Sequence, residues 1–482
     1  MNNFEVLLQD IEKEMTSIVG EKYVTRNEVI RYTYTRTPTW PIKRERIRIP
    51  ALIVRPGSTE EVVEIVRLAN RYKIPVIPRG GGASIAGWLV TNNVDKSILI
   101  DLTRMNKVLE IDKEHFTVTA ECGILLGELH KILRENGLHI FTVDVPFYID
   151  TLGGALSGVV GGGEPSDLAT SGELYHYVLG LKVVLPTGVI IQTGAGPHTN
   201  IYQQKVVDRA YNSPDITSLF LGDGGIFGIK VEATLVVEPW PSQYRFGAFI
   251  FNSFESSWKC FNKLVSTAPY LYSHILLMHT FEMKDWGLLY AIRAHLPEEL
   301  ALKYSYLSNI CKFYGGSEIS TEEALKLGYR YGTRDIGRTF GSRGHFIYFE
   351  GAFPRNIVPV AYDKIKSFLE SEFLNGKLNE KVIDWVEFMA PKLRTSVILG
   401  FLVFFDNDKL NEDDIDKLID IQEKYSDLRF KLGGFIEMHH GFEAFHAASV
   451  WSKEYKEFIS LLKRALDPNN ILNPGLWGIN YD

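Results

Sequence analysis

Residues 78–87 read Pro-Arg-Gly-Gly-Gly-Ala-Ser-Ile-Ala-Gly, and the three consecutive glycines follow directly after a short apolar stretch. Because glycine has no Cβ, its backbone can adopt positive φ and direct several N–H groups toward one point. Successive main-chain N–H groups form a concavity that binds an anion, most often a phosphate. Arg79 adds a positive charge beside this run, and Ser84 adds a hydroxyl. The stretch therefore predicts a phosphate or pyrophosphate site rather than an ordinary surface turn.

The common nucleotide-binding fingerprints are absent from the chain. Gly80 and Gly82 have the spacing that begins G-x-G-x-x-G, but Ile85 occupies the final glycine position. Neither G-x-x-x-x-G-K-[ST], G-x-S-x-G nor H-E-x-x-H occurs. These absences argue against a Rossmann dinucleotide site, a P-loop hydrolase, an α/β-hydrolase nucleophile and a zinc-protease helix. We expect a different class of phosphate-binding protein.

The composition is that of a large soluble protein. At 482 residues the chain exceeds one ordinary core and should divide into two or three units. Its net charge of −7 provides no positive field, so no nucleic-acid partner is expected. Three scattered cysteines are too few for an iron–sulfur cluster or a disulfide framework. Without a signal-peptide pattern or a transmembrane apolar run, we expect a cytoplasmic protein; a peripheral position at a membrane stays open.

Two further glycine-rich segments follow the first. Residues 151–163 read TLGGALSGVVGGG, and residues 222–228 read GDGGIFG. The first combines glycine with apolar residues, unlike a flexible linker, which indicates main chain packed against a flat partner. Ser58 and Glu61 have capping-box spacing at the start of a predicted helix, and Gly137 is expected to end another.

Four segments, in the order found in the family, resemble the FAD-binding enzymes of the vanillyl-alcohol oxidase and p-cresol methylhydroxylase superfamily. They are residues 78–87, 151–162, 223–230 and 466–475, of which the last reads LDPNNILNPG. Within the superfamily the chain resembles most the FAD-linked oxidase branch. That branch holds the D-lactate and glycolate dehydrogenases and alkylglycerone-phosphate synthase.

The resemblance implies an α+β fold with two parts. A two-subdomain FAD-binding domain of the p-cresol methylhydroxylase type would carry an α+β cap domain with an antiparallel sheet. Pro239 and Pro241 mark the expected boundary between them. The predicted division is a helical lead at 1–44, the FAD-binding domain at 45–240, the cap at 241–430 and a C-terminal segment at 431–482 that returns to the FAD-binding domain.

The same resemblance implies the residues that bind FAD. The pyrophosphate would contact Arg79, Gly80, Gly81, Gly82, Ala83, Ser84 and Gly87. The ribityl chain and flavin would contact Thr151, Gly153, Gly154, Ser157, Gly158 and Gly161. The adenosine half would lie near Gly172, Val178, Gly228 and Ile229, and Asn473 would approach the flavin from the C-terminal segment. Because Gly81 and Gly82 stand where covalent flavoproteins carry a flavin-linked histidine, dissociable FAD is expected.

His440 is the first candidate for a catalytic base. An alcohol oxidised by hydride loss also loses its hydroxyl proton, and a histidine pKa lies near working pH. His440-Gly441 matches the Glu-His-Gly of relatives, with His439 in place of the Glu, so His439 is a second candidate. Arg334, in Tyr331-x-x-Arg334, resembles a Trp-x-x-Arg of hydroxy-acid relatives and is the candidate clamp for a carboxylate.

A metal ion is not expected at the histidine cluster. His439, His440, Glu443 and His446 would be its ligands, but hydroxy-acid relatives add H-x-G-D-G-N-x-H. The corresponding residues 394–408 contain no histidine. This departure also weakens the case for a metal-assisted 2-hydroxy acid reaction.

Together these features predict an FAD-dependent dehydrogenase or oxidase acting on the CH–OH group of a small alcohol, with a 2-hydroxy acid as the first choice. Three alternatives stay open: a 4-hydroxybenzylic alcohol or alkylphenol oxidase, an alkylglycerone-phosphate synthase-like transferase, and a regulatory or electron-passing flavoprotein without substrate chemistry. The expected partners are a small-molecule substrate and an electron acceptor, which could be oxygen, a quinone, a carrier protein or an iron–sulfur subunit.

Overall fold

The computed structural model describes most of the chain. The described residues are 3–35, 49–82, 96–140, 149–158, 174–195, 208–209, 214–268, 271–280, 283–331, 345–376, 385–389, 395–405, 410–435 and 450–479. Within them the chain forms three sheets of four or more strands, each with its own covering helices.

The first sheet is small and mostly parallel. In spatial order its strands are β1 (Val24–Thr25), β2 (Leu52–Val54), β4 (Ile98–Asp101) and β3 (Val76–Arg79). Its helices are α1 (Asn3–Val19), α2 (Glu28–Thr33) and α3 (Thr59–Tyr72). α1 and α3 bury apolar faces against the strands, because residues three or four apart share one side of a helix. The first glycine run thus follows the carboxyl end of a parallel strand, where such sheets bind ligands.

Only one of the two hydrogen bonds of the predicted capping box is present at the start of α3. Ser58 Oγ accepts a hydrogen bond from Glu61 N at 3.2 Å, which is the predicted cap. The Glu61 carboxylate instead accepts from Gly57 N at 2.6 Å, so no capping box closes. The Glu61 carboxylate thus binds the N–H of the residue before the N-cap rather than the N–H of Ser58 itself.

The second sheet is antiparallel and shares core residues with the first. Its strands in spatial order are β5 (Val108–Asp112), β6 (Thr117–Glu121), β10 (Ile229–Val236), β8 (Val178–Val184) and β9 (Ile190–Gln192). Its helices are α4 (Leu126–Glu135) and α5 (Leu152–Ser157). As predicted, Gly137 follows the end of α4 with a φ of 73°. A two-stranded ribbon joins β7 (Leu138–His139) to β11 (Glu238–Pro239).

The third sheet forms the cap and is antiparallel, which confirms that part of the fold prediction. Its strands in spatial order are β15 (Ser317–Glu318), β12 (Gln243–Phe251), β14 (Trp286–Ala294), β13 (His274–Thr280), β17 (Trp385–Met389), β18 (Ser396–Phe405) and β16 (His345–Pro354). The helices are α6 (Phe254–Ser266), α7 (Pro297–Phe313), α8 (Thr321–Tyr331), α9 (Val358–Gly376) and α10 (Glu412–Lys431). An aromatic-rich core fills the space between one face of the sheet and helices α6, α7, α9 and α10.

Residues 450–479 of the C-terminal segment lie with the first two sheets, whereas Phe435, near its start, pairs with Ala352 of the cap strand β16. The segment contains α11 (Lys453–Leu466), whose Ile459 is buried in the core of the second sheet. Ile471 and Leu472 are buried in the core of the first sheet. Three distant parts of the chain therefore meet where the glycine-rich segments lie.

Candidate functional site

The glycine run after β3 lies directly against the second glycine-rich segment. A Cβ atom added at Gly80 would collide with Thr151 Oγ1, and one added at Gly81 would collide with the carbonyl oxygen of Ile149. Gly82 has a φ of 73°, a conformation in which other residues are strained. Only glycine therefore lets the main chain of this loop pass so close to its neighbour.

Arg79 brings a positive charge to the loop. Its guanidinium carbon lies 4.7 Å from the centre of the Tyr34 ring. The Tyr34 hydroxyl donates to Asp101 Oδ2 at 2.7 Å, and Arg55 Nε donates to the same oxygen at 3.1 Å. Arg79 Nε is buried and has no hydrogen-bond partner in the described part of the chain. A Cβ at Gly82 would collide with the guanidinium, so the cation lies against the glycine loop.

These surroundings leave Arg79 charged. Burial lowers the pKa of Arg79, and the carboxylate of Asp101 opposes that shift. Arginine keeps its proton in proteins because its ordinary pKa lies above about 12. Burial, followed by the hydrogen bond to Asp101, raises the pKa of Tyr34 to about 12, so its hydroxyl remains a donor. A half-buried guanidinium whose Nε has no partner among the described residues, beside main chain without side chains, fits a diphosphate.

The second glycine-rich segment forms the short helix α5 against the end of β6. Thr151 Oγ1 accepts from Gly154 N at 3.2 Å, and Ser157 Oγ donates to Gly153 O at 2.7 Å. Gly153 N donates to Cys122 O at 2.7 Å, and a Cβ at Gly153 would lie 2.8 Å from Cys122 Cβ. These hydrogen bonds join the predicted residues of the segment to one another, and they bring its main chain close to the end of β6.

The third glycine-rich segment turns around a buried carboxylate. Asp223 Oδ1 accepts from Gly225 N at 3.0 Å and from Lys230 Nζ at 2.6 Å. The side chains of Asp223 and Lys230 are each 1% exposed. Gly222, Gly224 and Gly225 all have positive φ, which only glycine adopts without strain. The segment is thus a rigid turn with its charge paired internally.

The C-terminal segment joins this turn to β3. Val76 N donates to Ile471 O at 2.6 Å, and Asn473 N donates to Val76 O at 3.0 Å, so Leu472 pairs with β3 as a parallel bridge. Asn473 has a φ of 42°, and its Nδ2 donates to Gly224 O at 2.6 Å. Asn473 therefore links the strand that carries the first glycine run to the third glycine-rich segment.

Lys463 secures the same junction, and the sequence analysis missed it. Its buried Nζ donates to Ile226 O at 2.9 Å, to Leu472 O at 2.7 Å and to Asp467 Oδ2. Asp467 also accepts from Ile471 N at 3.0 Å. Burial lowers the pKa of Lys463, and Asp467 opposes that shift. A signal was present, because Lys463 and Asp467 are four residues apart, which is the spacing of an ion pair on a helix.

The structure brings together the predicted residues of the first two segments and Asn473. Val178 and Ile229, in contrast, pack their side chains inside the cores of the two sheets. A Cβ at Gly228 would collide with Val183. The other predicted site residues lie outside the described residues: Ala83, Ser84, Gly87, Gly161, Gly172, Arg334, His439 and His440.

The described residues contain no group of three His, Cys, Asp or Glu side chains arranged to hold a metal ion. The histidine cluster considered from sequence, residues 439–446, lies outside them. Over the same described ranges, no helix is both long enough and apolar enough to cross a membrane.

Comparisons with known proteins match two parts of the chain to family models. Residues 50–194 match a family model described as an FAD binding domain, and residues 241–476 match one described as the C-terminal domain of FAD linked oxidases. The alkyldihydroxyacetonephosphate synthase of Dictyostelium discoideum is 24% identical over 88% of this chain and 72% of that protein. The glycolate oxidase subunit GlcD of Bacillus subtilis is 22% identical over 98% of this chain and 97% of its own length.

Among solved structures, p-cresol methylhydroxylase with substrate bound matches with a TM-score of 0.80 at 17% identity, covering 100% of this chain and 98% of that one. The fold and the glycine-lined site thus define a flavoprotein with the p-cresol methylhydroxylase fold, and its cofactor is FAD. The chain belongs to the FAD-linked oxidase family.

Proposed function

We propose that this protein is an FAD-dependent oxidoreductase that oxidises the CH–OH group of a small alcohol, with a 2-hydroxy acid as the first substrate class. The observation that carries the proposal is the glycine-lined main chain at residues 80–82, which lies between the side chains of Arg79 and Thr151. The similarity to the GlcD subunit along nearly the whole chain supports the substrate class.

The described residues suit the binding of FAD. When bound, FAD supplies the electron-accepting chemistry of the reaction. Arg79 and the glycines that follow it would hold the diphosphate, and the segment from Thr151 to Gly158 would pack along the rest of the cofactor. Asn473 would keep the C-terminal segment against both.

The proposed reaction also needs a group that accepts the hydroxyl proton of the alcohol. His440 has that role in the proposal, His439 stands beside it, and Arg334 is the proposed clamp for a substrate carboxylate. All three lie outside the described residues, and their assignment is supported by sequence motifs and by the chemistry of these side chains.

The first experiment mixes the FAD-loaded protein with D-lactate or glycolate under anaerobic conditions. The expected result is bleaching of the yellow flavin absorbance. His440→Ala should slow the bleaching by about 10²–10⁴-fold while FAD stays bound, because general-base catalysis contributes about that much. His446→Ala is the matched control and should bleach at nearly the wild-type rate. An unchanged rate in His440→Ala would remove that residue from the reaction.

A specific observation favours one second candidate, a transferase that carries out no net oxidation. The similarity to alkyldihydroxyacetonephosphate synthase extends over 88% of the chain. In addition, residues 394–408 lack the histidines of hydroxy-acid relatives. If no alcohol bleaches the flavin, the transferase is favoured over the oxidoreductase. Bleaching by 4-hydroxybenzyl alcohol alone would instead favour the phenolic branch.

The electron acceptor belongs to the proposal as well. Oxygen, a quinone, a carrier protein and an iron–sulfur subunit are the candidates, and the proposed location is the cytoplasm. Rates of reoxidation of the bleached protein by oxygen and by a soluble quinone would separate the small-molecule acceptors from a protein acceptor.

A further inference from the structure

Strand β13 carries a histidine on the face of the cap sheet that lies opposite the aromatic core. Side chains on a strand point alternately to opposite faces. Ile275 and Leu277 belong to the aromatic core against the helices, whereas Leu276 and Met278 belong to a second apolar cluster. His274 has the register of Leu276, so it lies on the face of that second cluster.

The His274 side chain is enclosed, but its polar atoms are unpaired. The residue is 1% exposed, and neither ring nitrogen has a hydrogen-bond partner among the residues that the structure describes. A neutral imidazole has one N–H donor and one acceptor nitrogen. Buried polar atoms nearly always have a partner, because an unpaired one destabilises the folded protein. His274 therefore lies where a bound molecule would supply the missing partner.

Arg293 lies beside His274 on the same face. His274 pairs with Ala291 of β14, and Arg293 follows Ala291 by two residues on that strand. Arg293 is half-buried, and its guanidinium contacts Nε2 of His139 on β7, in the FAD-binding part. This contact is at the same end of the sheet as His274. His274 thus lies next to the junction between the cap and the FAD-binding part.

The charge of Arg293 makes this position attractive to an anion. Burial, followed by the charge of Arg293, lowers the pKa of His274 to about 3. The same two causes, in the same order, lower the pKa of His139 to about 2. Both imidazoles are therefore neutral at pH 7, whereas arginine keeps its proton in proteins. A bound anion would be attracted to the guanidinium, and a bound cation would be repelled.

The other neighbours of His274 on this face are apolar. Ala291 lies opposite on β14, Phe246 lies beyond Ala291 on β12, and Leu276 lies two residues along β13. A buried water makes about three hydrogen bonds, and these side chains offer none. A carboxylate with a short apolar chain fits better, because its oxygen can accept from the imidazole while its chain packs against apolar side chains.

We propose that His274 and Arg293 bind the carboxylate group of a small organic acid. The His274 N–H donates to the carboxylate, and Arg293 supplies the opposite charge. The carboxylate belongs to the substrate or to a second acid that binds separately. The inference goes beyond the proposed function, and it holds even if the protein oxidises no alcohol.

Thr280 provides a matched control on the same strand. It lies at the opposite end of β13, on the same face as His274. It is also 1% exposed, and its Oγ1 has no hydrogen-bond partner within the described ranges. Replacing either residue removes a buried unpaired polar group, but only His274 lies beside Arg293. Loss of His274 alone should therefore weaken anion binding.

The test titrates the FAD-loaded protein with propionate and with propionamide, by calorimetry at pH 7 and constant ionic strength. The two probes share a carbon chain, and only propionate is charged. We expect propionate to bind saturably and propionamide to give no saturable heat. His274→Leu should weaken propionate binding at least about 10-fold, because a hydrogen bond to a charged group is lost. His274→Asn keeps an N–H donor and should bind propionate more tightly than His274→Leu.

Thr280→Val should leave the Kd of propionate within 2-fold of wild type. Retained flavin and a cooperative melting transition establish that each variant is folded. If His274→Leu does not fold, Arg293→Gln carries the test, and it should weaken propionate binding at least about 10-fold. The proposal is overturned if wild type gives no saturable heat with propionate, if propionamide binds as tightly, or if His274→Leu and Thr280→Val weaken binding equally.

A second measurement identifies the source of the carboxylate. If propionate slows the bleaching of the flavin by D-lactate competitively, with an inhibition constant equal to its calorimetric Kd, the site binds the substrate. If propionate binds and the bleaching rate is unchanged, the site binds a separate acid. Failure of every alcohol to bleach the flavin would overturn the proposed function instead, because the calorimetric titration does not depend on turnover.

Discussion

The FAD-binding part, which contains the first two sheets, and the cap, which contains the third, are built on different kinds of contact. In the FAD-binding part, the main chain at Gly80, Gly81 and Gly153 approaches its neighbours so closely that no Cβ fits. In the cap, regular strands present the side chains of Tyr348 and Glu387. The difference predicts two kinds of sensitivity. A main-chain site should fail when any side chain is added, whereas a side-chain site should tolerate changes that preserve its shape.

The largest expected effect tests the main-chain half of this comparison. Gly81→Val should prevent retention of FAD, because its side chain would occupy the position of the Ile149 carbonyl. The Kd for added FAD, measured by flavin fluorescence after gel filtration, should rise more than about 100-fold, which is about 2.7 kcal/mol.

Gly137→Ala is the matched glycine control. Gly137 has a φ of 73° but nothing within 4 Å of an added Cβ. This variant should lose about 1 kcal/mol of stability and keep its flavin. Equal flavin retention in Gly81→Val and Gly137→Ala would contradict the role assigned to the close main-chain contact at Gly81.

The next effect concerns the junction of the C-terminal segment. Lys463→Met should lower the free energy of unfolding by about 3–5 kcal/mol, because it leaves Asp467 buried without its counter-charge. Urea unfolding of the full chain measures the loss. Lys456→Met, on the exposed side of the same helix, should change stability by less than about 0.5 kcal/mol. A loss below about 1 kcal/mol for Lys463→Met would contradict the role assigned to it.

A third prediction concerns acid sensitivity of the cap. Burial, followed by the charge of Arg293, lowers the pKa of His274 to about 3. Both of its ring nitrogens lack hydrogen-bond partners in the described part of the chain. Between about pH 6.5 and 3 the unfolded chain binds a proton at this histidine that the folded chain does not bind, so stability falls as pH falls.

The variant His274→Leu isolates that contribution. From pH 6.5 to pH 5, wild type should lose about 1.6 kcal/mol more stability than the variant, because the slope is about 0.7 kcal/mol per pH unit at pH 6.5 and approaches about 1.4 toward pH 5. Urea unfolding at both pH values gives the difference, and measurements at pH 7 and 8 should show none. Parallel losses in both proteins between pH 6.5 and 5 would show that His274 binds a proton in the folded state.

The smallest expected effect concerns the hydrogen bond that fixes Tyr34 beside Arg79. Tyr34→Phe keeps the ring beside the guanidinium but removes the hydrogen bond to Asp101, which is worth about 1 kcal/mol. The Kd for FAD should rise about 5-fold. Tyr72→Phe removes a similar bond to Glu14, away from the loop, and should leave FAD affinity unchanged. A shift of the same size in both variants would place Tyr34 outside the cofactor site.

Much of the FAD-binding part was predictable because close approach of main chain to a cofactor requires glycine-rich segments, which are visible in the sequence. Three glycines after Arg79 and the segment that begins at Thr151 indicated main chain close to a flat, phosphorylated ligand, and the structure places these two segments against each other. The roles of Tyr34 and Lys463 were not predictable in this way. Tyr34 has no compositional signal, and the spacing of Lys463 and Asp467 indicates only an ion pair on a helix. The main-chain carbonyl groups that Lys463 binds are known only once the sheets are assembled.

By itself, the sequence determined the family and the cofactor, because main chain without side chains is visible as glycine in the residue order. Only the tertiary structure decided which side chains meet. Tyr348 and Glu387 are 39 residues apart, and Lys463 and Ile226 are 237 residues apart. Their contacts depend on strand order, register and the return of the chain, and none of these is encoded in any one local stretch.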